Sequence, residues 1–267
     1  MAKYRLGCNI PGGLLVGDSV LARLRHACAG LLDYGFDYAE ANIGLILDLS
    51  EEELAAAEKD RLPIEACNCF IPADMKIVGA SYEPGSPLYA RAEKIMQRMS
   101  RLGIGILVFG SGPARRVPEG VAIADGLCDI GNFLWMCGGL AEKYGIDLLI
   151  EPLCPGECNG INLTCEAAAM AAMVNRPAVS YLADSYHMAG SGEAPDALEH
   201  ATVLPRHVHV AEAGCRRHPG AGEDDYVVAF AASLRRTAYE GRVTVECNLG
   251  DEKIELPKTM AFLQEHF

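Results

Sequence analysis

The chain has 267 residues, half of them hydrophobic, and a formal net charge of −13 from 23 basic and 36 acidic residues. That apolar content supports a large core and excludes a globally disordered chain. The acidic balance argues against nucleic acid or an anionic membrane as main partner, because both repel a negative surface.

In chain order, the opening MAKYRLGCNIPGG lacks the long apolar core of a signal peptide, and no apolar run approaches bilayer length. A cytoplasmic protein is therefore expected. Short, near-continuously apolar runs occur at 5–10, 36–43, 62–71, 103–111, 146–153, 178–186, 206–213 and 242–249. Such runs suit parallel strands buried on both faces. Amphipathic stretches lie between them, among them 20–35, 51–60, 89–103, 133–145 and 224–241. Several of these end in glycine, a common helix stop. Eight strands, each followed by a helix and with no low-complexity linker, predict an α/β chain. It is read as one (β/α)8 TIM barrel domain over residues 1–267. A doubly wound open sheet is the alternative, but NIPGG after the first strand does not match its glycine-rich phosphate loop. The eleven cysteines, an odd number, read as reduced thiols and not as a disulfide framework.

In a barrel of this kind the chemistry sits at the C-terminal ends of the strands. The last four runs each deliver one hard or borderline metal ligand there. LLIEP ends in Glu151, YLADS in Asp184, HVHVAE carries His209, and VTVECN ends in Glu246. Their separations are 33, 25 and 37 residues, about one βα unit each. Three carboxylates and an imidazole in one semi-apolar hole repel one another unless a cation joins them. The donor set suits Mn²⁺, Mg²⁺, Co²⁺ or Zn²⁺. The competing explanation is that each acidic residue merely caps the helix after its strand. His207 alternates with His209 on one strand and is read as a packed or supporting histidine.

At these residues a family resemblance emerges. EPLCPGE (151–157), DSYH (184–187), HVHVAEAGCRRHPGAG (207–222) and VECN (245–248) resemble the xylose-isomerase-like barrels of sugar isomerases and epimerases. Within that superfamily they are most similar to the ketose 3-epimerases of the D-tagatose and D-psicose type. VFGSGPARR (108–116) is similar to a fourth-strand segment of the same superfamily. The resemblance implies that Glu151, Asp184, His209 and Glu246 bind one metal, commonly manganese. It implies that Glu151 and Glu246 are also the acid/base pair, and that Glu157, His187 and Arg216 hold substrate oxygens. His209 to Arg216 is one residue longer than the family's usual spacing, so the pair Arg216–Arg217 aligns by the PG that follows. A homo-oligomer, dimer or tetramer, and a small sugar or polyol-ketone substrate are also implied.

The chemistry follows from the carbon acid. A proton next to a ketone is weakly acidic, and a divalent ion chelated by the carbonyl and neighbouring hydroxyl stabilises the enediolate. One carboxylate removes the proton and a second, on the other face, returns one. The expected activity is thus a divalent-metal-dependent epimerase or isomerase of a ketose or sugar-like ketone. The alternatives are an inosose dehydratase or isomerase on the same scaffold, an abasic-site phosphodiesterase, and a catalytically silent ligand-binding barrel. The phosphodiesterase needs extra histidines from strands three and four, which here end in CNCF and VFGSG.

Other residues carry weaker readings. Glu40 is expected to bond a sugar hydroxyl or to cap a helix. Arg115 and Arg116 read as solvated loop charges, or else as a seat for a carboxylate or phosphate. Trp135, the only tryptophan, reads as core. Cys67 and Cys69 read as buried thiols pointing the same way. Phe70 and Phe109 are the aromatics that the first half offers to a sugar.

Overall fold

The computed structural model describes residues 3–222 and 225–267. Its elements begin with β1 (Arg5–Asn9), α1 (Val20–Asp33), β2 (Tyr38–Asn42), α2 (Ile43–Asp48), α3 (Glu51–Asp60) and β3 (Ile64–Asn68). They continue with α4 (Pro87–Leu102), β4 (Ile106–Phe109), α5 (Gly112–Arg115), α6 (Ile123–Tyr144), β5 (Asp147–Ile150) and α7 (Thr164–Val174). The last six are β6 (Val179–Asp184), α8 (Ser185–Gly190), β7 (His207–Val210), α9 (Tyr226–Arg236), β8 (Arg242–Val245) and α10 (Glu252–His266). All eight expected strands form, each shorter than its apolar run. The helix expected from 224 begins at Tyr226, and residue 224 itself lies outside the described residues.

The strands pair in parallel and in chain order, and β1 closes on β8, giving the eight-stranded barrel. Leucine, isoleucine and valine side chains fill the layer between strands and helices, where most are fully buried. Helix boundaries follow local chemistry. Ser86 accepts from the Tyr89 amide at 3.3 Å, Pro87 occupies the first turn, and Gly103 ends α4 at φ 72°. No helix among the described residues is long and apolar enough to cross a membrane.

Ser50 and Glu53 form a capping box on α3. Ser50 Oγ accepts from the Glu53 amide at 3.1 Å, and Glu53 Oε2 accepts from the Ser50 amide at 2.9 Å. Glu53 Oε1 also accepts from the Leu21 amide at 3.1 Å, tying α3 to the start of α1. The Ser50 and Leu21 amides lower the Glu53 carboxyl to about 2. A depressed carboxyl stabilises the fold above its ordinary value and loses that contribution as pH falls through the depressed one. Glu53→Gln is therefore expected to melt below wild type at neutral pH, with the gap closing as the pH approaches about 2. Thermal melts across that range check it, and a gap unchanged at low pH would count against the assignment.

Trp135, Arg115, Cys69, Phe70 and Phe109 differ from their sequence expectations. Trp135 is 57% exposed on the outer face of α6, where the Arg176 guanidinium sits 4.2 Å above its ring. Arg115 is fully buried: its guanidinium donates to the Phe109 and Glu151 carbonyls at 3.3 and 2.7 Å and lies over the Phe109 ring. Carbonyl acceptors and a ring face let a charge sit where solvent does not reach. Cys67 is buried, but β3 ends at Asn68, and Cys69 turns out to the surface at φ 57°. Phe70 and Phe109 pack with Phe133 as a fully buried aromatic cluster.

Candidate active site

Parallel register carries the four expected ligands to one rim. Asp184, the last residue of β6, pairs with His209 of β7. His209 pairs with Thr244 of β8, so Glu246, two residues on, shares that face. Glu151 follows β5, its amide donating to the Phe109 carbonyl at 3.2 Å. One donor atom from each of Glu151, Asp184, His209 and Glu246 lies within 4.8 Å of the others. His209 Nδ1 is 3.3 Å from Glu151 Oε1 and 3.5 Å from Glu246 Oε2. Gly110, in the VFGS segment, makes room: a Cβ there would stand 2.3 Å from Glu151 Oε2.

The His209 ring is held from behind. Its Nε2 lies 3.1 Å from Glu40 Oε2, and His207 Nε2 lies 3.1 Å from the same oxygen. His207 Nε2 also meets Thr244 Oγ1 at 3.1 Å, and Thr244 Oγ1 meets the Tyr38 hydroxyl at 2.7 Å. All five side chains are fully buried. Strands β2 and β7 are not neighbours, so these bonds cross the barrel interior. The β2–β3 register slips between Ala39 and Glu40, an irregularity that re-aims a side chain. Glu40 thus neither caps a helix nor faces the cavity. Asn42 caps α2 instead, accepting from the Gly44 amide at 2.8 Å.

The electrostatics of the cluster are opposed. Burial pushes Asp184 up against the pull of His209. Burial and the nearby Glu246 carboxylate push Glu151 up. Burial would also raise Glu246, but His209 and Arg216 outweigh it and bring it down to about 2. Burial lowers His209, yet Glu40 and Glu246 overcome it and hold this imidazole well above its ordinary value. Asp184 Oδ2 is buried with no hydrogen-bond partner among the described residues. An orphaned carboxylate oxygen facing two more carboxylates and an imidazole fits a shared divalent cation. The oxygen-rich donor set with one nitrogen can hold Mn²⁺, Mg²⁺, Co²⁺ or Zn²⁺.

A cavity of about 550 Å³ opens onto this cluster and is lined by Glu151, Glu246, Glu157, His187 and Arg216. Arg216 donates to Glu246 Oε2 at 2.7 Å and to Glu157 Oε1 at 3.2 Å, and its guanidinium lies 5.0 Å from the Tyr186 ring centre. Arg217 points elsewhere, to Glu255 at 2.6 Å. The buried Glu212 carboxylate shapes the loop that carries both arginines by accepting from the Gly220 and Gly222 amides at 3.0 and 3.3 Å. The Arg216 carbonyl accepts from the Asn248 amide at 2.7 Å, fixing a residue whose φ is 50°.

His187 is fully buried, and its Nδ1 accepts from the Cys154 amide at 3.2 Å. That bond places the ring proton on Nε2, which has no partner among the described residues and lies 3.9 Å from Asp184 Oδ2. Burial lowers this imidazole, favouring the neutral form.

Asn68 and Arg91, whose polar side chains line the cavity, are not singled out by the sequence. Asn68 Nδ2 donates to Glu246 Oε1 at 3.0 Å, so both oxygens of Glu246 are held. Its place at the C-terminal end of β3 was the available signal. Arg91, on α4, also lines the cavity, and nothing local in its helix marks it out.

A closed parallel barrel with buried carboxylates and an imidazole at its C-terminal rim defines an α/β-barrel of enzyme type. The chain belongs to the xylose isomerase-like TIM barrel family, whose model matches residues 28–266. L-ribulose 3-epimerase from Methylomonas sp. (strain DH-1) is 30% identical over 245 residues, 86% of this chain and 80% of that protein. The crystal structure of D-allulose 3-epimerase from Methylomonas sp. in complex with D-allulose has a TM-score of 0.80 at 21% identity, covering 99% of this chain and 97% of that one. The structure of 3-keto-D-glucoside 4-epimerase YcjR from E. coli has a TM-score of 0.79 at 22% identity, covering 98% and 99%. These two structural likenesses establish the shared fold.

Proposed function

We propose that the chain is a divalent-metal-dependent sugar epimerase, acting on a ketose or a sugar-like ketone by proton transfer next to the carbonyl. The observation that carries this reading is the convergence of Glu151 and Glu246 on one donor cluster at the mouth of the cavity. The 30% identity to an L-ribulose 3-epimerase supports the sugar class.

Glu151, Asp184, His209 and Glu246 would hold the metal. When bound, the ion supplies Lewis-acid polarisation of the substrate carbonyl and offsets the negative charge that develops on the substrate oxygens. Glu246, fixed through both oxygens by Asn68 and Arg216, takes a proton from the carbon next to the carbonyl. Glu151 returns one to the opposite face and inverts the centre. His187 donates its Nε2 proton to a substrate oxygen, the orientation being set by the Cys154 amide. Arg216 and Glu157, bonded to each other, bind substrate hydroxyls at the cavity wall.

Glu40 acts through His209: it fixes the ring so that Nδ1 faces the carboxylates. Such partners typically account for about 10–100-fold in metal affinity. Glu40→Gln is therefore expected to weaken Mn²⁺ binding by about that factor, read by calorimetry. Unchanged affinity would remove Glu40 from the site.

The reaction is tested with a panel of ketoses and polyol ketones in deuterated water with Mn²⁺. Deuterium entering at a carbon next to the carbonyl, followed by the epimer, is the expected result. A panel with no exchange by the Mn²⁺-loaded protein would reject proton transfer.

A further inference from the structure

The cavity is electrically lopsided. Its carboxylates, Glu151, Glu157 and Glu246, all follow the last four strands. The lining from residues 42–113 carries no carboxylate and one cation, Arg91. Arg91 is half-buried, and its Nε donates to the Phe70 carbonyl at 3.2 Å. No carboxylate lies within ion-pair distance of it among the described residues, and its terminal amines have no protein acceptor there. Asp74 is near enough to oppose the effect of burial on this guanidinium but forms no bond with it. Of the pair the sequence offered for holding an anion, Arg115 is spent on backbone carbonyls away from the cavity, and Arg116 donates to the Glu157 carbonyl at 2.8 Å. In a chain of net charge −13, a partly dehydrated arginine left unpaired in a pocket is a seat for an anion. A guanidinium presents a planar fork that matches carboxylate and phosphate oxygens alike.

We infer that the substrate is a keto sugar bearing a carboxylate or phosphate, and that Arg91 receives that group. This rests on the proposed proton-transfer reading, with Glu151, Glu246 and Arg91 all lining one cavity. A volume of about 550 Å³ falls within the usual range for ligand sites and leaves room for a sugar with a charged tail.

The test compares D-fructose, D-fructose 6-phosphate and D-fructuronate on the Mn²⁺-loaded protein, by calorimetry and by deuterium exchange. At least one anionic probe is expected to bind about tenfold or more tighter than D-fructose, consistent with one charge-assisted bidentate contact. The phosphate and carboxylate arms separate the two sources of charge. In Arg91→Gln the ratio of anionic to neutral affinity falls to near one. Arg91→Lys restores part of it if charge dominates and none if the fork does. Equal affinity for D-fructose, failure of both anionic probes to bind, or a preference that survives Arg91→Gln overturns the inference. Exchange without anion preference would overturn it while leaving the epimerase reading intact. Anion-selective binding without exchange of any probe would instead remove proton transfer and keep the ligand of Arg91.

Discussion

Glu246→Gln is expected to abolish deuterium exchange into substrate while the barrel stays folded. A positioned base typically contributes about 10²–10⁴-fold, and exchange should fall by at least that much. The amide keeps one oxygen for the Asn68 amide but cannot take a proton at neutral pH. It also loses the charge that pairs with Arg216 at 2.7 Å. Arg216 keeps Glu157 as a partner, so the cavity wall should hold its shape. Glu246 is 14% exposed and lies at the rim, where its replacement opens no core void. Exchange at the wild-type rate would transfer the base role elsewhere, with Glu151 next in line. A melting temperature close to wild type separates lost chemistry from lost structure.

Asp184→Asn is expected to cut metal affinity by more than about 100-fold, since even outer partners commonly account for about 10–100-fold. Asp184 is fully buried, and its two oxygens have separate tasks. Oδ1 accepts from the Tyr186 amide at 2.8 Å and starts α8, a role that asparagine fills as well. Oδ2 has no hydrogen-bond partner among the described residues, and its replacement by an amide nitrogen would turn a proposed ligand into a donor. The variant should therefore keep its fold and lose its ion. Metal content after dialysis, measured beside the melting temperature, decides it. Wild-type occupancy would take Asp184 out of the ligand set.

The barrel was legible because its signals are local. Each buried strand announces itself as an apolar run, and the clustering of Glu151, Asp184, His209 and Glu246 follows from the rule that rim residues sit where such runs end. The runs overstated strand lengths, since apolar residues such as Phe70 and Ile71 continue inward after the ladder stops. The misreadings share one cause. Arg115 is buried because the carbonyls of Phe109 and of Glu151, 36 residues after Arg115, face it, and Trp135 lies on the outer face of α6 with Arg176 of the next unit over its ring. Glu40 meets His207 and His209 from 167 and 169 residues away. No window on the sequence contains both partners of such a bond. Arg91 escaped for the same reason, because only the folded cavity brings it into one lining with Glu246.

The carboxylate of Glu40 has a consequence for how the molecule assembles. All four proposed ligands belong to the second half of the chain, on β5 to β8 and the residues just after them. The brace on His209 comes from β2, which reaches β7 only when the ring has shut through the pairing of β1 with β8. A folding intermediate that has zipped only its last four strands carries every ligand but leaves one imidazole free to swing. On the proposed ligand set, tight ion capture would then belong to the closed ring alone, and the ion would stabilise closure by the margin with which it prefers the native state. Pairings of such long sequence separation form slowly. Refolding followed by ion uptake would therefore time the last event of folding, the meeting of the chain's two ends.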